Sequence, residues 1–535
     1  MSELSRIEMV QMIDINKETE DMSVELEMKY MRLQNGSDVR GIALDGVEGQ
    51  PVNLTPDIAS FIAAAFVEHV AETSNRAKEE LTIAVGHDSR LSADMMKNGV
   101  VAGLQKMGAQ PVDCCLASTP SMFMATVLPE LDYDGAIMIT ASHLPFNRNG
   151  MKFFTKDGGL ESKDIKKILQ KAMSLEENGL ADACKKEVIK LDLLKHYSTY
   201  LRGIICKELE SNEQDLPLSG VHFVVDGSNG AGGFFATQVL EPLGADISGS
   251  IFLEPDGTFP NHVPNPEDEK AMECIRKATL EHQADLGIIF DTDVDRAATV
   301  FPNGKEINRN ALIALMGAIV AKTNPGSTVV TDSVTSDQLK EFLENRLGLK
   351  HHRFKRGYRN VINESVRLNG EGIESCLAIE TSGHGALKEN YFLDDGAYMS
   401  VKILCEAVRC KRAGKTIEGL LEGLTEAAQT KEVRMKIFEE DFKSYGLQVL
   451  EQFKEFADKD DRFHIVEPNY EGVRISFADD EVHGWMLIRM SLHDPLLAMN
   501  FEADREGGIE IMEGRIAEFF NRFSALEKKF LFDGK

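Results

Sequence analysis

Three aspartates at alternate positions, Asp291, Asp293 and Asp295, end an apolar run that begins at Gly287, and Arg296 follows them directly. In a tight loop, oxygen donors separated by single residues converge on one hard cation, and Mg²⁺ keeps further positions for water or phosphate oxygen. Carboxylates this close repel unless a cation intervenes, and the Arg296 guanidinium adds a rigid fork suited to a phosphoryl group. An EF-hand is ruled out, because its sixth position would be Arg296 and its twelfth Pro302. A solvated acidic turn is the plainer alternative, and it fits poorly with an apolar strand feeding the loop.

The run Thr140-Ala-Ser-His-Leu-Pro-Phe-Asn-Arg-Asn-Gly-Met-Lys152 follows the strand-like Gly135-Ala-Ile-Met-Ile139, so Ser142 falls on a loop at a strand's carboxyl end. A serine hydroxyl is a weak nucleophile that needs a base or a charged neighbourhood. His143 and Lys152 are the local candidates to supply one, although the segment alone also suits an ordinary polar turn. In Ile379-Glu-Thr-Ser-Gly-His-Gly385, Glu380 and Ser382 offer the rigid carboxylate and hydroxyl that sugar hydroxyls pair with. A glycine turn with a helix cap is an equal reading of that string in isolation. In Arg489-Met-Ser-Leu-His-Asp-Pro495, Arg489 and Ser491 sit beside a loop whose free N–H groups make an anion nest. By itself it would be a hairpin loop with a surface arginine.

These loops need strands and helices to hold them. Thr82-Ile-Ala-Val-Gly-His-Asp-Ser89, Phe223-Val-Val-Asp-Gly-Ser228 and Thr328-Val-Val-Thr-Asp-Ser333 are β-rich runs, each ending in an Asp/Ser turn. Each leads into a helical stretch that stops at a glycine, Gly108, Gly244 or Gly348. Strands alternating with helices imply parallel pairing with right-handed crossovers, and ligands at the carboxyl ends of the strands. After about residue 425 the pattern becomes strands in succession, 472–477, 484–489 and 496–501, closed by a helix from about Gly508 to Lys528. The reading is three related α/β mixed-sheet domains, 33–190, 191–305 and 306–425, with a C-terminal α+β domain, 426–535. Residues 1–32 read as a polar extension before the fold begins near Leu33.

A chain of 535 residues with 43% hydrophobic and 27% charged content is a folded, multidomain protein. Its formal charge of −28 argues against general binding to nucleic acid or anionic membrane, so an anionic ligand requires a local basic pocket. The eight cysteines show no CxxC pair, which favours a reducing compartment. The longest apolar run, Ala311 to Ala321, is too short to span a bilayer and reads as a buried helix.

Together the four motifs, in this order along the chain, resemble those of the α-D-phosphohexomutase superfamily, in its phosphoglucomutase/phosphomannomutase group. Gly36-Ser-Asp-Val-Arg-Gly41, Gly86-His-Asp-Ser-Arg90, Asp226-Gly-Ser-Asn-Gly-Ala-Gly232 and Asp256-Gly-Thr-Phe-Pro-Asn-His-Val-Pro-Asn-Pro266 add to the match. The resemblance implies four domains around a central active-site cleft and interconversion of hexose 1-phosphate and hexose 6-phosphate, of glucose and/or mannose. It implies phospho-Ser142, a hexose 1,6-bisphosphate that is both intermediate and activator, and Mg²⁺ held by Ser142, Asp291, Asp293 and Asp295. Arg40, His143, Lys152 and Arg296 would serve catalysis. Gly357, Glu380, Ser382, His384, Lys388, Arg489 and Ser491 would bind the substrate. It further implies a monomer or weak homodimer that meets small sugar phosphates in the cytoplasm or, alternatively, the plastid stroma.

Three positions depart from the usual pattern: Leu144 after the Ser-His pair, Leu492-His493-Asp494 in the phosphate loop, and Phe354-Lys-Arg-Gly-Tyr358 in domain three. Two rival readings are a silent paralogue that binds sugar phosphates as a regulator, and an aspartyl phosphotransferase using Asp291. The second fits less well, because its motif opens a catalytic domain rather than lying mid-chain.

Overall fold

The computed structural model describes residues 24–180, 186–491 and 494–527. The chain forms two compact units. Unit 1 runs to Ala297 with two short returns, and unit 2 holds most of the remainder.

Unit 1 opens with an eight-stranded mixed sheet. Thr82–His87 lies parallel to both Gln110–Leu116 and Gly135–Ile139, and Arg148–Thr155 returns antiparallel beside Gly135–Ile139. Asp38–Ile42 extends the sheet on the far side of Arg148–Thr155, pairing Arg40 with Gly150. Gly135–Ile139 is apolar and buried at every position, as a strand covered on both faces must be. The helix Pro56–Ser74 is capped by Thr55, whose Oγ1 accepts from the Ile58 N–H. It packs against the helix Ala93–Lys106 at two glycines one turn apart. A Cβ at Gly99 would lie 2.3 Å from Pro56 O, and one at Gly103 would lie 2.1 Å from Ser60 O. Phe66, Val85, Leu104, Ile137 and Phe153 fill the core beneath.

The N-terminal boundary differs from the sequence reading. Residues 24–31 are helical, and Tyr30 is fully buried, donating to Glu176 Oε2 at 2.6 Å. One aromatic and one hydrogen bond thus bring part of the polar extension into the first core.

The second sheet contributes the parallel pair Phe223–Asp226 and Leu286–Phe290 to unit 1. In unit 2, Lys350–Arg353, Thr328–Thr331 and Ser375–Ile379 run parallel, and Gly385–Leu387 folds back antiparallel on the last of them. The three glycine stops all adopt left-handed backbone, with φ of 77° at Gly108, 90° at Gly244 and 66° at Gly348. The apolar segment forms the buried helix Arg309–Ala321. Among the described residues no helix is long and apolar enough to cross a membrane.

The C-terminal sheet is antiparallel throughout, in the order Gln429–Lys436, Leu496–Ala503, His483–Met490, Val473–Ala478, His464–Ile465. The helices Phe442–Ala457 and Gly508–Phe520 cover it through Phe453, Ile516 and Phe519. The closing helix stops at Phe520, short of the expected Lys528, because Leu526 turns back to bridge Ile437.

The glycine contacts predict a specific sensitivity. Gly103→Val should destabilise unit 1 by about 3 kcal/mol, since the added carbons meet backbone. Gly203→Ala, whose Cβ meets nothing within 4 Å, should instead stabilise by up to about 1 kcal/mol. Thermal unfolding of both variants checks the pair.

Candidate active site

In unit 1 the strand Gly135–Ile139 delivers Ser142, which is buried and held at φ 51°. Left-handed backbone is uncommon for serine, so other groups must hold it there. Thr140 Oγ1 accepts from the Ser142 N–H at 2.8 Å and donates to Asp88 Oδ2 at 2.7 Å. The guanidinium of Arg90, itself buried, donates to the carbonyls of Ser142, Leu144 (2.7 Å), Pro145 (2.8 Å) and Arg148 (3.1 Å). Asp88 balances its charge at 3.2 Å. One side chain thus fixes four carbonyls of the serine loop.

Ser142 Oγ donates to Asp291 Oδ2 at 3.1 Å, and His143 Nδ1 stands 3.3 Å from the same oxygen. Asp291, Asp293 and Asp295 are buried, each with one carboxylate oxygen within 4.8 Å of the others'. The turn that gathers them puts Val294 at φ 66°, a strained value for a β-branched residue. Its support comes from the 226–232 loop, where Ser228 Oγ donates to Phe290 O at 2.6 Å and the Ala231 N–H to Thr292 O at 2.8 Å. Gly230 allows this approach, because a Cβ there would sit 2.5 Å from Thr292 O.

Burial, then Asp295 and Asp293, pushes the Asp291 carboxyl well above its ordinary range. Lys152 Nζ reaches Asp293 Oδ2 at 2.9 Å and also pairs with Asp295. Thr119, at the start of a helix fixed by a Ser118–Ser121 capping box, donates through its hydroxyl to Asp293 and through its N–H to Asp293 O. Asp293 Oδ1 is buried with no hydrogen-bond partner among the described residues. An all-oxygen donor set with an orphaned buried carboxylate oxygen fits a divalent cation such as Mg²⁺, with Ser142 Oγ as the adjoining oxygen. The Arg296 N–H donates to Asp291 Oδ1 at 3.2 Å, and its Nε lies 3.9 Å from Oδ2. Arg40 pairs with Asp38 at 3.0 Å. Its strand partner is Gly150, two residues before Lys152, so Arg40 and Lys152 project from one face of the sheet.

Unit 2 assembles the second group. Glu380 Oε1 accepts from the Gly357 N–H at 2.6 Å, which the left-handed φ of 115° at Gly357 permits. Ser382 Oγ lies 2.8 Å from His384 Nδ1, and that nitrogen lies 3.6 Å from Glu380 Oε2. Asp394 Oδ2 stands 3.5 Å from His384 Nε2, and the Tyr358 ring stacks on the imidazole at 5.4 Å. Burial raises the Glu380 carboxyl, but His384, Arg356 and the Gly357 N–H outweigh it, leaving the group below its ordinary value. Its neighbour Asp332 goes the other way, pushed up to about 7 by burial and by Glu380.

Lys388 is not brought to this group. The antiparallel register sets it beside the start of Ser375–Ile379, roughly 13 Å along the strand from Glu380 at 3.3 Å per residue. Its ammonium pairs with Glu374 at 2.9 Å and donates to Asn369 at 2.7 Å.

Arg489 is buried on the strand His483–Met490, with Nη1 3.9 Å from Glu471 Oε1. Glu471 Oε2 accepts from Ser333 Oγ at 2.6 Å and from the Arg356 N–H at 3.1 Å. Ser491 Oγ accepts from the Asp494 N–H at 3.2 Å, while Leu492 and His493 lie outside the described residues. Arg90, Thr119, Asp332, Asp394 and Glu471 had no assigned role in the sequence. Arg90 carried a signal, as the end of Gly86-His-Asp-Ser-Arg90, and so did Asp332, in the Asp/Ser turn that ends Thr328-Val-Val-Thr-Asp-Ser333.

Comparison with known proteins accords with this geometry. Family models for phosphoglucomutase/phosphomannomutase α/β/α domains I, II and III match residues 31–179, 196–304 and 308–427. The phosphoglucomutase of Neisseria gonorrhoeae is 29% identical over 480 residues, covering 89% of this chain and 94% of that protein. The phosphoglucomutase/phosphomannomutase of Thermococcus kodakarensis is 29% identical over 473 residues, covering 88% and 94%. A crystal structure of a phosphoglucomutase/phosphomannomutase family protein from Burkholderia thailandensis shares the fold, with TM-score 0.72 and 24% identity over 92% of this chain and 96% of that one.

Two outcomes test the electrostatics. Asp293→Asn should weaken Mg²⁺ binding by about tenfold or more, as read by calorimetry, while the fold is retained. The folded Asp332 keeps a proton that the unfolded chain releases near 3.8, so unit 2 loses stability as pH rises from about 4 through about 7. Asp332→Asn removes that loss. Its stability relative to wild type should therefore be higher at pH 8 than at pH 5, in urea titrations followed by the single tryptophan, Trp485.

Proposed function

The chain belongs to the phosphoglucomutase/phosphomannomutase family of α-D-phosphohexomutases and is a hexose phosphate mutase, and we propose that it works through phospho-Ser142 on glucose and mannose phosphates. The family assignment sets aside the aspartyl-nucleophile reading, and nothing observed favours a silent paralogue. The substrates are those named in its relatives, among them the phosphomannomutase/phosphoglucomutase of Pseudomonas putida, 29% identical over 81% of this chain.

The carrying observation is the position of Ser142 Oγ, buried in a left-handed loop and hydrogen-bonded to the first of three convergent aspartates. The resting enzyme carries a phosphoryl group on this oxygen. A sugar hydroxyl attacks the phosphorus and gives up its proton, the serine O–P bond breaks with its electron pair going to Oγ, which takes up a proton, and a hexose 1,6-bisphosphate forms. Its other phosphoryl group then returns to Ser142 Oγ, so the phosphate count on the enzyme is unchanged. His143 Nδ1, 3.3 Å from Oγ, is placed to supply the proton Oγ needs on leaving and to take it back on attack. Lys152, Arg40 and Arg296 supply fixed positive charge for the moving phosphoryl group. Asp291, Asp293 and Asp295 would hold Mg²⁺, which when bound neutralises phosphoryl charge.

In unit 2 the Glu380 carboxylate, kept ionised by His384 and Arg356, accepts from sugar hydroxyls, and Ser382 and His384 add donors beside it. Gly357 keeps the backbone close enough to fix that carboxylate. Arg489 and Ser491 receive the phosphate that is not reacting. Lys388, committed to Glu374, takes no part.

The test is conversion of glucose 1-phosphate to glucose 6-phosphate with Mg²⁺ and a trace of glucose 1,6-bisphosphate, with mannose 1-phosphate run in parallel. Ser142→Ala should lower kcat by about 10⁴-fold or more. Lys388→Gln should leave it within about twofold. Full activity of Ser142→Ala would overturn the phosphoserine route.

A further inference from the structure

Unit 2 contains a cavity of about 90 Å³ away from the Glu380 group, between the edge strand Lys350–Arg353 and residues 466–470 of the C-terminal domain. Lys340, Arg353 and Arg474 contribute three positive charges to its lining, beside His351 and His352. The one carboxylate in the wall, Glu467, is committed to Lys454 at 3.0 Å and to the Asn469 N–H at 3.1 Å. Behind the wall, Arg353 Nη2 and Arg474 Nη2 donate to the same oxygen, Asp337 Oδ1, at 2.6 and 3.1 Å. Two guanidiniums share one carboxylate, which leaves a buried positive charge uncompensated. The next carboxyl, Glu502, is pushed up to about 7 by burial and carries only part of a charge near neutrality. Lys340, exposed at the edge, makes no ion pair within 4 Å among the described residues.

Donor capacity is also unused. Arg474 is fully buried, yet its Nε has no hydrogen-bond partner among the described residues. His351 Nε2 lies 2.8 Å from Thr331 Oγ1, and its Nδ1, donor or acceptor according to the tautomer, is buried without a partner among the described residues. Burial first, and then the neighbouring Arg353, bring the Arg474 guanidinium down to about 9. Phe354 and Tyr470, with ring centroids 4.9 Å apart, form an apolar shoulder beside these cations. In a chain of net charge −28, such a concentration of positive charge is local and built.

We propose that this cavity is a second anion site, taking inorganic phosphate rather than the sugar substrate. A cavity of about 90 Å³ has room for one tetrahedral oxyanion. The site is joined to the reaction machinery by one residue. Ser333 lines the cavity and donates to Glu471, whose other oxygen faces Arg489. Phosphate at this seam ties residues 466–470 to the strand Lys350–Arg353, and so biases the setting of Glu471 against Arg489. The proposal stands on the cavity's own lining and not on the mutase reading.

Calorimetric titration of the full chain with inorganic phosphate, with and without saturating glucose 1,6-bisphosphate, tests it. One phosphate-binding event should persist under the bisphosphate. That event should weaken at least tenfold in Lys340→Glu, a surface change whose folding is checked by its melting temperature, and in Arg353→Gln. Loss of all phosphate binding under the bisphosphate, or wild-type phosphate affinity in Lys340→Glu, would overturn the proposal. If Arg353→Gln fails to fold, Lys340→Glu decides alone.

Discussion

Unit 1 depends on a buried crowd of like charge. Asp291, Asp293 and Asp295 are brought within 4.8 Å of one another out of contact with water. At an effective dielectric of about 20, each ionised pair at that distance repels by about 3 kcal/mol. The protein answers in part with Lys152, in part with Thr119, and in part by keeping Asp291 prone to hold a proton. What is left over is negative charge and an unpartnered carboxylate oxygen, so the loop is strained toward binding a cation. Ser142 is set against this loop and not merely near it, since its Oγ hydrogen-bonds Asp291, whose carboxyl is raised well above its ordinary range.

The serine loop and the aspartate loop come from different domains, and each is held by a device from elsewhere in unit 1. Arg90 gathers four carbonyls and so over-determines a conformation that Ser142 would not adopt alone. The 226–232 loop does the same for Val294 and its neighbours through Ser228, Ala231 and the bare face of Gly230. Both devices act on backbone rather than on the side chains of the site. They also confine movement, because backbone tied at several points cannot relax when one charge changes.

Much of this was legible in the sequence because the features are local. Unbroken apolar strands, Asp/Ser turns and glycine stops announce themselves within a dozen residues, and the left-handed φ at Gly108, Gly244 and Gly348 is the physical need behind those stops. The aspartate spacing likewise encodes its own convergence. What stayed hidden depends on register and on partners far along the chain. Lys388 lies eight residues after Glu380, yet an antiparallel return carries it to the opposite end of the strand and onto Glu374. Arg90 acts on carbonyls more than fifty residues away, which no side-chain motif records. The strand Gln429–Lys436 was missed because only Val433 and Met435 face the core, and the rest of it is polar.

Unit 2 applies the same electrostatics with a different division of charge. Asp332 and Glu380 are both buried and close, so ionising one makes ionising the other harder. His384, Arg356 and the Gly357 N–H favour the charge on Glu380, and Asp332 is the carboxyl that is pushed up, to about 7. The Glu380 carboxylate is thereby kept an acceptor, while Asp332 still ties down Thr381, whose hydroxyl it accepts at 2.7 Å. At the seam with the C-terminal domain the imbalance reverses, with Arg353 and Arg474 sharing Asp337 and Arg489 facing Glu471 at 3.9 Å. A protein of large net negative charge can therefore handle anions, because at this seam its cations stand in local surplus where burial magnifies them.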